Sequence, residues 1–120
     1  MVRGAVGTAV CLMTNMTYTG ATTIDTIELQ QRAGDNLLPA GTDIVLKNNG
    51  ILALWTYGAS PRSTAATLGG VSGHGRVRYA KAATFSGTFA PSIGGTIEFS
   101  EAPASLSGTL EIDGDATVKA

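Results

Sequence analysis

Sixteen glycines and four prolines, with clusters of Asn and Ser, cut this 120-residue chain into short apolar runs. No apolar pattern with a 3.6-residue period persists long enough for a helix of ordinary length. Long stretches of Glu, Lys, Arg and Gln, which would favour helices, are absent. The runs read instead as short β-strands between turns.

"TAVCLM" (Thr8 to Met13) is a compact apolar strand, in which Cys11 serves as a small hydrophobe. In "TTIDTIELQQ" (Thr22 to Gln31), Ile27, Leu29 and Gln31 alternate with Thr26, Glu28 and Gln30, as in a half-buried strand. Ile24 and Ile27 also allow a helical turn, which the β-branched threonines disfavour. "DNLLPAGTD" reads as a turn through Pro39 and Gly41. In the clearest unit, "DIVLK" and "ILALWTY" flank "NNG" (Asn48 to Gly50). Asn49 and Gly50 tolerate positive φ, so a hairpin is expected here. Both faces of Ile51 to Tyr57 are mostly apolar, which places that strand inside a sandwich or at a subunit contact, with Trp55 as a core anchor.

Gly58 to Gly75 has little apolar content and reads as one long loop. "RVRYAKA" resumes extended structure, with Arg76 and Arg78 on one face and Val77 and Tyr79 on the other. Gly-Thr pairs at Gly87, Gly95 and Gly108 open three similar segments, but spacings of 8 and 13 residues are too uneven for a solenoid repeat. Consecutive antiparallel strands account for them better. The expected architecture is one all-β domain over residues 1–120. It is an antiparallel β-sandwich, jelly-roll-like, with an extended N-terminal arm at 1–7 and the long loop at 58–75.

Charge narrows the function. Asp, Glu, Lys and Arg make up 14% of the chain, against ~25% in ordinary domains. A surface this poor in charge favours a protein partly covered by neighbours. The charges are also segregated: residues 1–43 carry −2, 44–97 carry +5 with no acid, and 98–120 carry −4. Opposed blocks with a near-neutral total argue against nucleic acid as the main partner. They allow basic-to-acidic pairing within the fold or between copies. The residues for such contacts are Arg62, Arg76, Arg78 and Lys81 against Glu98, Glu101, Glu111, Asp113 and Asp115. No apolar run is long enough to span a membrane as a helix.

No catalytic motif survives scrutiny. "GVSGHGRV" (Gly70 to Val77) has the glycine spacing of a phosphate-binding loop. Arg76 stands where Lys belongs and Val77 where Ser or Thr belongs, and a strand pattern follows in place of a helix. One His and one Cys, His74 and Cys11, cannot supply a zinc site. Ser72 and His74 lack the context of a nucleophile elbow. Glu111, Asp113 and Asp115 alternate without the twelve-residue calcium pattern. The expectation is no enzyme activity, no cofactor and no metal.

"DIVLKNNGILALWTY", "GGTIEFSEAP" and the loop "GASPRSTAATLGGVSGHG", in a low-charge chain rich in Ala, Gly and Thr, resemble small bacteriophage capsid decoration, or cement, proteins. That resemblance implies a β-rich homo-oligomer, dimer or trimer, made in the host cytoplasm and bound to the major capsid protein on the virion exterior. The alternative is a carbohydrate- or receptor-binding β-sandwich of a phage fibre or lectin.

Overall fold

The computed structural model describes residues 2–3, 9–56, 61–92, 95–100, 105–106 and 117–119. Twelve short strands lie among them: β1 (Val2–Arg3), β2 (Ala9–Leu12), β3 (Thr22–Asp25), β4 (Glu28–Gln31), β5 (Ile44–Ala53), β6 (Ala66–Leu68), β7 (Val71–Arg78), β8 (Ala83–Phe85), β9 (Phe89–Pro91), β10 (Thr96–Phe99), β11 (Ser105–Leu106) and β12 (Thr117–Lys119). A single 3-10 turn, Ala80–Ala82, is the helical element among these residues.

Every ladder between these strands is parallel. The chain winds as a β-solenoid of about four turns, not as an antiparallel sandwich or jelly roll. On the first face Val2, Ile24, Leu46, Gly73 and Pro91 are level in successive turns. The second face stacks β2, β4, the end of β5, the end of β7, β10 and β12. The third stacks β6, β8 and β11. Because β5 and β7 bend across one corner, the first two faces merge into a nine-stranded sheet, and the third is a separate three-stranded sheet.

Corner chemistry explains why the strands run parallel. Of the two residues expected to take a left-handed backbone, Asn49 (φ 64°) does and Gly50 does not; Asn48 (φ 50°) joins Asn49 instead. They turn the chain only from one face to the next, however, and β5 continues through them with a register shift between Leu46 and Gly50. The expected hairpin is therefore a solenoid corner. One turn later Gly73 (φ 97°), level with Leu46, starts the corresponding corner, and a Cβ there would overlap the Leu46 carbonyl oxygen. Only glycine combines that φ with so close an approach. The Gly-Thr pairs also mark corners, but different ones within a turn: Gly87 lies between the third and first faces and Gly95 between the first and second. Gly108 lies outside the described residues. Successive turns on the first face repeat at 22, 22, 27 and 18 residues, so no fixed period exists in the sequence.

The expected loop from Gly58 to Gly75 is largely ordered: it contains β6 and most of β7. What leaves the solenoid is an excursion after Leu54. It is closed by an antiparallel bridge between Trp55 and Ser63 and by Thr64 N–H donating to the Leu54 carbonyl at 2.9 Å. At the start of the chain Val2–Arg3 pairs with β3; residues 4–7 of the expected arm lie outside the description.

Inward-facing side chains fill the space between the faces. Ile24, Ile44, Leu46 and Val71 come from the first, Leu29, Leu52, Val77 and Ile97 from the second, and Leu68 and Ala83 from the third. The three phenylalanines meet across this space, one from each face. Phe85, Phe89 and Phe99 make mutual edge contacts at 5.6, 5.6 and 5.9 Å between ring centres. Each buried side chain of this size contributes about 1.5–3 kcal/mol by leaving water.

Candidate functional site

The outward side of the second face carries Arg76, Arg78 and Glu98, three of the five described residues expected to act. Alternation in β7 turns Val77 inward, fully buried, and leaves Arg76 and Arg78 outward. Register then decides what each arginine meets. Arg76 is level with Ile51 in the turn before and Glu98 in the turn after. Its guanidinium lies 3.6 Å from the Glu98 carboxylate. Arg78 reaches back two turns to Glu28, 50 residues earlier, with Nη1 donating to Oε1 at 2.8 Å. Its Nη2 donates to the Tyr79 hydroxyl at 2.9 Å, and the guanidinium stands 5.0 Å from the centre of that ring. Burial works against the Arg78 charge, but Tyr79 and Glu28 outweigh it and hold the group above its ordinary value. Tyr79 (φ 59°) turns the next corner and stacks on Trp55 at 4.3 Å. Trp55 is thus half-buried at the surface, not a core anchor.

Arg62 stands apart, on the excursion. It grips Asp35 with two hydrogen bonds, at 2.7 and 3.1 Å. Asp35 Oδ1 also accepts from Ala65 N–H at 2.8 Å. The hydrogen bond from Arg62, then that from Ala65, holds the Asp35 carboxyl below its usual range, and Arg62 is raised in turn. Lys81 lies exposed in the 3-10 turn. Glu101, Glu111, Asp113 and Asp115 fall outside the described residues. The three described pairs join the basic middle of the chain to acids from both flanking blocks, within one molecule.

A shallow groove follows the corner between the first and second faces, lined by Asn49, Ile51, His74, Arg76, Thr96 and Glu98. His74 is half-buried here and is not the exposed, unpartnered loop residue its glycine neighbours suggest. Its Nδ1 accepts from the Thr96 backbone N–H at 2.8 Å, which fixes the ring between two turns. Ser72 sits before the Gly73 corner, and the ring nitrogen nearest the backbone serves Thr96 rather than a nucleophile. Gly70 to Val77 crosses two faces as strand and corner, with no helix N-terminus to receive phosphate. Among the described residues, no group of three or more His, Cys, Asp or Glu side chains could hold a metal ion. No described helix is long and apolar enough to cross a membrane.

Sequence reasoning missed two buried polar hubs. Gln31 is fully buried, and its Nε2 donates at 2.8 Å to both Thr64 Oγ1 and the Ala65 carbonyl. Its Oε1 accepts from Leu37 and Leu38 N–H at 2.9 and 3.3 Å. Asp25 is nearly as buried and accepts from Thr26 Oγ1 and from Asn48 Nδ2, in the next turn, at 2.8 and 2.9 Å. A glutamine in phase with Ile27 and Leu29 was the available signal for the first. Cys11 is half-buried on the outward side of β2, its Sγ 3.1 Å from Gln30 Oε1. No protein-family model, curated protein or solved structure matches this chain.

Proposed function

We propose that this chain is a non-catalytic structural module, a β-solenoid that enters a larger assembly through contacts of its own surface. The observation that carries this reading is the grouping of Val10, Met13 and Tyr18. These are the exposed large hydrophobics among the described residues, and all lie between β1 and β3, in one turn of the solenoid. Single exposed apolar residues need no explanation, whereas three in one turn of a small domain point to a contact. The low charge of the chain agrees. Decoration of a capsid lattice is one form such a role could take. The strands that carried the resemblance to cement proteins form parallel turns rather than hairpins, so the fold gives that form no advantage over other assemblies.

A second reading, binding of a carbohydrate or receptor, is favoured by the corner groove, where a fixed imidazole, an ion pair and Asn49 surround Ile51. Sedimentation of the purified chain across concentration, alongside a glycan array, separates the two. Association without glycan recognition is the expected result. A chain that stays monomeric and binds a defined sugar tightly would replace the structural reading with the second.

A further inference from the structure

The corner between the first and second faces carries donors that the fold leaves unused. Arg62 and Arg78 donate hydrogen bonds to their carboxylates at 2.7 and 2.8 Å. Arg76 stands 3.6 Å from Glu98, beyond hydrogen-bond reach, with 46% and 40% of the two side chains exposed. An exposed pair this loose adds little stability, so another carboxylate can take the guanidinium with little loss. Beside it the His74 ring is fixed. Its Nδ1 accepts from Thr96 N–H at 2.8 Å, so the proton of the neutral ring sits on Nε2, which is a donor. Two shallow hollows adjoin along this corner and share Asn49 and His74. Ile51, Arg76 and Glu98 line one, and Lys47 and Ser92 line the other. Together they cross three successive turns, in which Leu46, Gly73 and Pro91 are level. Lys47 and Asn49 are exposed, and neither side chain has a hydrogen-bonding or charged partner among the described residues.

We propose that this corner is the docking site for an acidic peptide segment of an assembly partner. The inference rests on the structural role proposed above and names the chemistry of one contact. Arg76 takes a carboxylate with its planar fork, and His74 Nε2 donates beside it. Lys47 attracts a second acid in the adjoining hollow, and Ile51 supplies apolar floor. Two hollows in a row suit an extended segment better than a single ion, because alternate side chains of such a segment point the same way. The same corner of a second copy is excluded as the partner, since Lys47 and Arg76 would meet like charges. The chain as a whole carries a net charge of −1, so it does not attract acids in general. Attraction is local to the corner.

His74 is the only histidine of the chain, so its ring resonances report this corner directly in an NMR titration. The probes are capped hexaaspartate, capped hexaglutamine, sulfate and maltohexaose. The expected result is a saturable shift with hexaaspartate alone. Affinity falls about fivefold or more in Arg76→Gln and in Lys47→Gln. It is unchanged in Lys81→Gln, which removes an exposed lysine from the 3-10 turn instead. Circular dichroism verifies that each variant folds. No shift with hexaaspartate overturns the proposal, as does an equal shift with hexaglutamine. Equal weakening in Lys81→Gln, or none in Arg76→Gln and Lys47→Gln, overturns it too, because the attraction is then diffuse. A shift as strong with sulfate makes the corner a free-anion site, and a shift with maltohexaose alone returns it to the carbohydrate reading; either result overturns peptide docking. Sedimentation reads association independently of this corner. A chain that associates but ignores hexaaspartate loses this contact and keeps the structural role.

Discussion

The side-chain amide of Gln31 donates to Thr64 Oγ1 at 2.8 Å, across one full turn of the solenoid. The same amide satisfies the Ala65 carbonyl and the N–H groups of Leu37 and Leu38, where the second face gives way to the third. One buried glutamine thus does for this corner what a strand ladder does for a face. Gln31→Leu preserves size but leaves the buried donors of Leu37 and Leu38 without acceptors. Each orphaned group costs ~1–3 kcal/mol, so a loss of about 3 kcal/mol is expected. Urea denaturation measures it; a loss below about 1 kcal/mol would show that water reaches this corner and replaces the amide.

Asn48 has two duties at the corner between the first and second faces. Its backbone adopts φ 50°, and its side chain donates to the buried Asp25 carboxylate. Asn48→Gly keeps the backbone and loses the hydrogen bond; Asn48→Ala loses both. A hydrogen bond to a charged acceptor contributes ~1.5–3 kcal/mol, and a left-handed backbone costs a non-glycine residue roughly 1 kcal/mol more. Alanine should therefore destabilise more than glycine by about 1 kcal/mol in the same denaturation measurement. Equal losses would mean that the backbone conformation carries no cost at this site.

These two residues show how much of the fold could be read in advance. The all-β class, the inward phase of Leu29 and Gln31, the opposite faces of Arg76 and Val77, and the positive φ at Asn49 all follow from local chemistry. The direction of the next strand does not. A left-handed Asn-Asn pair serves a hairpin and a solenoid corner equally well. What separates them is the neighbour across the ladder, Ile24 for Leu46 and Gly73 for Leu46 again, 22 and 27 residues away. Turns of unequal length, one enlarged by the excursion after Leu54, remove the period that would have revealed the stacking. At the candidate site, the outward arginines were legible in β7, but their partners Glu28 and Glu98 were set by register alone. The ring partner of His74 was hidden for the same reason, because Thr96 comes alongside only once the turns are stacked.

Asp35 and Arg62 tie the foot of the excursion to the preceding turn, and this tie responds to pH. The folded Asp35 carboxyl is held below its usual value, chiefly by the hydrogen bond from Arg62. The unfolded chain therefore takes up the proton first as pH falls. The stabilisation is fully present above the unfolded value of ~3.9 and is lost as pH drops through the lower folded value. Both side chains are well exposed, so salt weakens the effect. Asp35→Asn should flatten the acid limb of a melting-temperature profile below about pH 4 and leave the neutral plateau slightly lower. An unchanged acid limb would place the loss of stability on other carboxylates.

The three phenylalanines set the last expectation, because each comes from a different face and the cluster holds all three together. Phe85 is fully buried and touches both Phe89 and Phe99 at 5.6 Å. Removing it leaves a cavity that the rigid ladders on either side cannot close. Phe85→Ala should cost about 3–5 kcal/mol, a large share of the stability of a domain this size. Phe85→Leu retains most of the apolar volume and loses the edge contacts, each worth ~0.5–1.5 kcal/mol beyond burial, so an intermediate cost of about 1–2 kcal/mol is expected. Hydrogen exchange locates the damage. Amides of β7, β8 and β10 should lose protection together in Phe85→Ala, while those of β3 and β4 change least. Uniform loss across all the turns would instead mean that the solenoid unfolds as one cooperative unit, with the phenylalanine cluster stabilising the whole rather than its own turns.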